Sequence, residues 1–203
     1  MRDVEMPKIV DREAMQDAIL DAAVTTFAEK GFHAATMADL ATAAGLGKGT
    51  LYLYFSGKDA VASAMVDRYF VQLADRLKAE GQPKTLEALL ESLGKTMNVP
   101  SDEAGLIRVF FEVYGPSFSD EDFVQMMSRH FDELGAHYAA ALEYLASLGE
   151  VREDLDVQST GRTLASLVDG IVLHSALFGA SEQRKMRLTT DAVSILSSGL
   201  KPQ

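Results

Sequence analysis

Apolar residues along this chain return every three to four positions, and no stretch alternates polar and apolar as a half-buried strand would. The pattern predicts an all-α protein of about nine helices. The first spans about 12–30, with Ala18, Leu20, Ala22, Val24 and Phe27 as its buried stripe and Gly31 at its end. Thr36 caps a short second helix, with Asp39 three residues on in the manner of a capping box. That helix stops at Ala44, because Gly45 supplies the left-handed residue a tight turn needs. A third covers about 48–55. Ser56 or Gly57 caps a longer fourth, with Val61, Met65, Tyr69 and Leu73 on one face. Gly81-Gln82-Pro83 breaks the chain. Further helices are expected at about 85–97, 101–114, 120–148, 157–178 and 188–198.

Residues 36–58 combine these signals into one motif. Two short helices joined by a glycine turn, with another helix directly after, form the layout of a helix-turn-helix that sets its second helix in a DNA major groove. Leu40, Leu46, Leu51 and Phe55 are its natural core. Lys48, Gly49, Thr50, Tyr52 and Tyr54 are then left exposed. Lys48 can donate to guanine O6 and N7 or to a phosphate, and Thr50 can meet a thymine methyl or a phosphate. Gly49 permits close backbone approach, and tyrosine hydroxyls reach phosphates without charge. Lys58, in the first turn of the fourth helix, also stands where a phosphate is favoured.

Charge pulls against this reading, since the net charge is −11 over 203 residues and a general nucleic-acid binder should be basic. The excess is uneven. Residues 1–80 hold 9 basic and 12 acidic side chains, whereas residues 81–203 hold 10 and 18. Screening over about 8 Å makes local charge matter more than the total.

The run Gly45-Leu46-Gly47-Lys48-Gly49-Thr50-Leu51-Tyr52-Leu53-Tyr54-Phe55, with Lys58-Asp59 after it, resembles the signature of the tetracycline-repressor (TetR) family. Ile19-Leu20-Asp21-Ala22-Ala23, Phe27-Ala28-Glu29-Lys30-Gly31-Phe32 and Thr36-Met37-Ala38-Asp39-Leu40-Ala41 resemble it too. The likeness covers about residues 12–70. It implies a ligand-responsive transcriptional regulator, a repressor released from a palindromic double-stranded operator by a small molecule. It also implies a helix-turn-helix domain over residues 1–57 and a ligand-binding and dimerisation domain over 58–203. The family's DNA contacts fall here on Thr36, Met37, Lys48, Gly49, Thr50, Tyr52, Tyr54 and Lys58. Gly47 stands where the family often has Ser or Thr, and Ala38 where some members place an arginine. Base readout thus rests on Lys48, helped by Arg2 or Lys8 from an N-terminal arm.

In the second part, Met127, Phe131, Leu134, Tyr138, Ala141, Leu145 and Leu148 repeat at four and three along the seventh helix, a core pattern. The eighth has a bulky face (Leu164, Leu167, Ile171, His174, Phe178) and a small one (Ala165, Val168, Val172, Ala176, Gly179). Small residues let helices approach closely and suit a symmetric helix pair, and Ala192, Val193, Ile195 and Leu196 on the ninth serve the same end. The resemblance places a homodimer interface on these last two helices. A ligand cavity between helices is mostly apolar with a few polar groups. Phe110, Phe111, Tyr114, Met126, His130, His174 and Phe178 are the candidates, each with a plain packing reading beside it. They suit an apolar or aromatic effector, and the acidic balance favours a neutral or cationic one.

The chain has no cysteine, so disulfides and thiolate metal sites are excluded and a reducing cytoplasm fits. The sequence shows no transmembrane span or signal peptide, and no cofactor is implied. An enzyme is the first rival reading. Glu133 and His137 are four apart and could share a metal, but His130 lies two turns, about 10.5 Å, from His137. Patterns for a nucleophile elbow, a phosphate loop or a dinucleotide site are missing. The second rival is a helical adaptor whose helix-turn-helix no longer binds DNA, a reading helped by the thin set of bases.

Overall fold

The computed structural model of the chain describes residues 12–98, 107, 109–112, 121–178 and 181–202; Arg2, Lys8 and Tyr114 lie outside them. Every regular element among the described residues is helical. In order these are α1 (Arg12–Lys30), α2 (Met37–Ala43), α3 (Lys48–Tyr52), α4 (Lys58–Glu80) and α5 (Leu86–Met97). A helical segment at residues 109–112, α6, follows. Then come α7 (Glu121–Ser147), α8 (Val157–Leu177) and α9 (Glu182–Leu200). Packing divides the chain into a first unit ending at Val66 and a second beginning at Asp67.

The first unit is built on local chain chemistry. Gly31 adopts φ 76° after α1, and Thr36 opens α2 with a complete capping box: its hydroxyl accepts from the Asp39 N–H, while the Asp39 carboxylate accepts from the Thr36 N–H. Gly45, at φ 67°, closes α2 in a Schellman turn, with Leu46 N–H donating to the Ala41 carbonyl at 2.8 Å and Gly45 N–H to Thr42 at 3.1 Å. Helix α3 is shorter than the pattern predicts. It ends at Tyr52, and Tyr54 and Phe55 then bond back to the Leu51 carbonyl in a turn that swings Phe55 inward.

The core of this unit holds Ile19, Leu20, Ala23, Phe27, Phe32, Met37, Leu40, Leu51, Phe55, Val61 and Met65. The buried face of α1 is set by Ile19 and Ala23, where Ala18 and Ala22 were expected. Leu46 is half-buried and stands at the edge of the core.

In the second unit, Leu86, Leu89, Leu90 and Leu93 of α5, Tyr138, Leu142 and Leu145 of α7, and Leu164, Ala165 and Val168 of α8 form one cluster with Ala192 and Leu200 of α9. The most extensive helix pair among the described residues is α7 with α8, and α9 rests on α5. The close approach of α7 and α8 is fixed by Gly161, where an added Cβ would stand 2.6 Å from the Gly135 carbonyl oxygen and from Ala139 N. The small face of α8 is consequently used inside the protomer: Ala165, Val168 and Ala176 are buried there. Helix α9 starts earlier than expected because Ser181 caps it, accepting from Arg184 N–H at 3.3 Å. Its first turns carry no apolar stripe; Lys185 fills that place with a buried stem and an ammonium bonded to Glu182 at 2.8 Å. The stripe of α7 is core through Met127, Leu134, Tyr138, Ala141 and Leu145, while Phe131 within it and Leu148 just past the helix are exposed.

Candidate functional site

The surface of α3 is where the sequence signals converge. Lys48, Gly49 and Thr50 are exposed at its start, and Leu51 anchors it with no exposure at all. Its N-cap is Gly47, which makes no side-chain cap bond, so the first turn presents backbone N–H groups without a side-chain acceptor. A Cβ on Gly49 would meet nothing within 4 Å, and the backbone there is open to a close partner. Tyr52 is 47% exposed. Tyr54 is half-buried, with the Arg12 guanidinium 6.0 Å from its ring centroid.

Leu53 belongs to this surface and was missed from sequence. It is 75% exposed beside Tyr52, a large apolar side chain with no core to join. The signal was present: two positions after a buried helical residue is about 200° around the axis, so Leu51 pointing inward turns Leu53 outward.

Three expected contact residues stand elsewhere in the chemistry. Met37 is buried, so its side chain packs in the core. The Thr36 hydroxyl donates to Asp39 at 2.7 Å, and Asp39 also accepts from Lys30 at 2.6 Å. The Lys30 ammonium first, then the Thr36 hydroxyl and N–H, hold the Asp39 carboxyl down at about 2. Lys58 does not reach outward: its ammonium donates to the carbonyls of Phe32, His33 and Ala35 at 2.7, 3.2 and 3.1 Å. Among the cations described in the first unit, Lys30 is paired, Lys58 is half-buried and bonded to three carbonyls, and Arg12 lies over a ring; Lys48 carries no such contact.

In the second unit, Phe110 and Phe111 are half-buried and meet edge to face at 5.1 Å. His174 tilts on Phe178 at 5.1 Å; Phe178 is 69% exposed, and His174 Nδ1 is enclosed with no hydrogen-bond partner among the described residues. His130 joins distant segments, stacking on Phe70 of α4 with centroids 4.2 Å apart and planes at 12°. Burial lowers the proton affinity of His130, against the pull of Glu133 and Asp67, and lowers that of His137 against Glu80. Met126 is half-buried on α7. An open groove of about 1550 Å³ between α5 and α9 is lined by Thr85, Gly94, Thr189 and Ser197 among others, and shares no residue with this set. No group of three metal-ligating side chains occurs among the described residues.

Two polar groups inside this unit have no obvious packing role. Tyr138 is fully enclosed, and among the described residues no partner meets its hydroxyl in hydrogen-bond geometry. Burial pushes its phenol up to about 12; the nearby Thr96 hydroxyl draws it down only in part and is committed to the Ser92 carbonyl at 3.0 Å. Asp169 on α8 is held up at about 6 by burial alone.

The chain is similar to known bacterial regulators in sequence and fold. Residues 19–65 match the family model described as bacterial regulatory proteins, tetR family. Residues 86–196 match that described as BetI-type transcriptional repressor, C-terminal. The HTH-type transcriptional regulator BetI of Serratia proteamaculans is 23% identical over 97% of this chain and 100% of its own length. A TetR transcription regulator from Haloarcula marismortui superposes with a TM-score of 0.79 at 17% identity, covering 93% of this chain and all of that one. The regulator FadR from Bacillus subtilis, solved in complex with stearoyl-CoA, gives 0.72 at 22% identity over 90% of this chain and 98% of its own. Among the described residues no helix is long and apolar enough to cross a membrane.

Proposed function

Because this chain belongs to the tetR family of bacterial regulatory proteins, DNA-binding regulators of transcription and not enzymes, we propose that it is a repressor released from its operator by a small molecule. The observation that carries this is the exposed row Lys48, Gly49, Thr50, Tyr52 and Leu53 on a short helix whose underside, Leu51, is locked in the core. Lys48 reads a guanine edge or a phosphate, Thr50 and Leu53 meet thymine methyls, and the tyrosine hydroxyls hold phosphates. Met37 takes part through its backbone, and Tyr54 through a ring oriented by Arg12.

The chain acts as a homodimer on a palindromic operator, its two recognition helices entering successive major-groove faces. Phe178, Met186 and Ile195, exposed apolar side chains on or beside α8 and α9, support an interface on these helices. The functional boundary falls at Gly57–Lys58: residues 1–57 read DNA, and residues 58–203 bind ligand and pair. The effector is an apolar or aromatic compound bound near Phe110, Phe111, Tyr114, Met126, His130, His174 and Phe178. With Asp169 compensated by no cation among the described residues, a neutral or cationic head suits it better than an anionic one. The stearoyl-CoA held by the Bacillus subtilis neighbour makes long-chain acyl thioesters a class to test against that expectation.

Fluorescence anisotropy with DNA flanking the protein's own gene tests the reading. Specific binding is expected, weakened by Lys48→Ala and Tyr52→Ala, and no binding at low salt would overturn it. A thermal-shift screen then finds the effector. Ligand and operator must weaken each other equally, by about 1–3 kcal/mol of coupling; absence of that reciprocity would exclude the release mechanism.

A further inference from the structure

Lys58 is the first residue of α4, an adverse place for a cation because the start of a helix is its positive end. Its surroundings reverse that. The ammonium donates to the carbonyls of Phe32, His33 and Ala35 at 2.7, 3.2 and 3.1 Å and lies 4.5 Å from the centroid of the Phe32 ring. An ammonium has three protons, and here each has an acceptor. The three carbonyls belong to the loop that Gly31 opens at φ 76° and Thr36 closes as the cap of α2. Phe32 is buried and packs edge-on against Phe27 at 5.2 Å, so the loop is gripped from both sides. A phosphate could engage Lys58 only by taking a proton from one of these carbonyls, leaving a backbone acceptor unmatched.

We propose that Lys58 is a positioning residue of the reading head, an internal strut that ties the loop before α2 to the first turn of α4 and makes no phosphate contact. Its consequence for DNA rests on the operator-binding reading; the strut itself does not. Since α2 packs on α3, the strut makes the first turn of α4, the loop and the start of α2 move as one body. Helix α4 continues past Val66 into the second unit. A displacement of the first turn of α4 is therefore passed to the loop before α2 through Lys58, beside the packing of the shared core. Arginine does not replace it, because a flat guanidinium cannot send three diverging protons to three carbonyls around one point.

The test uses the full chain with Lys58→Met, which keeps the stem over Phe32, and Lys58→Arg, which keeps the charge; Lys48→Ala is the reference. Hydrogen exchange is followed at Ala35, Asp39 and Leu40, whose N–H groups bond to Gly31, to the Thr36 hydroxyl and to the Thr36 carbonyl. Exchange there should quicken by at least about tenfold in Lys58→Met, the loss carried by one hydrogen bond to a charged group, and also measurably in Lys58→Arg. Operator affinity should fall in both variants at every salt concentration with the salt slope unchanged, while Lys48→Ala lowers the slope by about two, one for each protomer of the dimer. A slope lowered by about two in Lys58→Met, or Lys58→Arg matching the wild type in both exchange and affinity, would overturn the strut. If Lys58→Met does not fold, Lys58→Arg alone decides. If the wild type binds no operator, the DNA reading fails while the exchange result still judges Lys58.

Discussion

Replacing Gly161 by alanine should destabilise the second unit, although the same change in a helix interior ordinarily stabilises by about 1 kcal/mol. The new Cβ would stand 2.6 Å from Ala139 N and from the Gly135 carbonyl oxygen, and 2.8 Å from Ala139 Cβ. Two of those atoms are backbone and cannot rotate away. Ordinary contact begins near 3.4 Å, so α7 and α8 must part by about 0.8 Å, a gap that forfeits between a quarter and a half of each contact's attraction. Along that seam Tyr138, Leu142, Leu145 and Leu164 have no exposure. Overpacking of this kind costs about 3 kcal/mol and the loosened seam about 1 more, against about 1 regained, a net loss near 3 kcal/mol. For a chain of this size that lowers the melting temperature by about 6–12 °C. Gly94→Ala is the control: on α5 a Cβ would meet only Thr189 and Val193 methyls at 3.8 Å, and the variant should melt about 1–4 °C higher. Calorimetry at one fixed protein concentration decides it, since a dimer's melting point depends on concentration. Gly161→Ala melting with the wild type, or Gly94→Ala falling alongside it, would refute the account of the crossing.

Asp169→Asn should stabilise the protein at pH 7.5 by up to about 3 kcal/mol. Burial raises its carboxyl from 3.8 to about 6, so its contribution is intact below pH 3.8 and lost as pH rises through 6. Urea unfolding should therefore show the gain at pH 7.5 and none at pH 3.5; an equal gain at both would show that charge burial is not the cause. Thr36→Ala removes the capping box of α2 and should cost about 1 kcal/mol with faster exchange at Asp39; unchanged exchange there would deny the cap its role.

The helix-turn-helix was legible because its instructions are local. Thr36 and Asp39 form their capping box within one turn, and Gly45 is the positive-φ residue its position requires. Where two neighbouring faces of a helix were equally apolar, the pattern could not choose: Ala18 and Ala22 lost to Ile19 and Ala23 on α1, since Leu20 and Phe27 fit either face. The small face of α8 was legible as small, but whether it would meet α7 or a second copy was not. Gly161 showed nothing until Ala139 was brought against it. Lys58 read as a phosphate ligand because its acceptors lie 23–26 residues earlier, a tertiary fact without a local trace.

The engagement of Lys58 by three carbonyls bears on the electrostatics of the proposed reading head. With Lys30 paired, Lys58 bonded to three carbonyls and Arg12 over Tyr54, the described part of each head offers DNA one unengaged cation, Lys48. Two heads then release few counterions, and the logarithm of operator affinity should fall with the logarithm of salt at a slope of about −2. On the proposed reading, affinity and specificity come instead from Thr50, Tyr52 and Leu53, uncharged side chains whose contacts salt does not screen. A measured slope steeper than about −4 would mean that other cations engage. Arg2 and Lys8, the basic residues ahead of α1, are then the ones to test. Removing residues 1–11 should in that case return the slope to about −2. If the steep slope survives the deletion, the claim that Lys30, Lys58 and Arg12 are withheld from DNA is wrong.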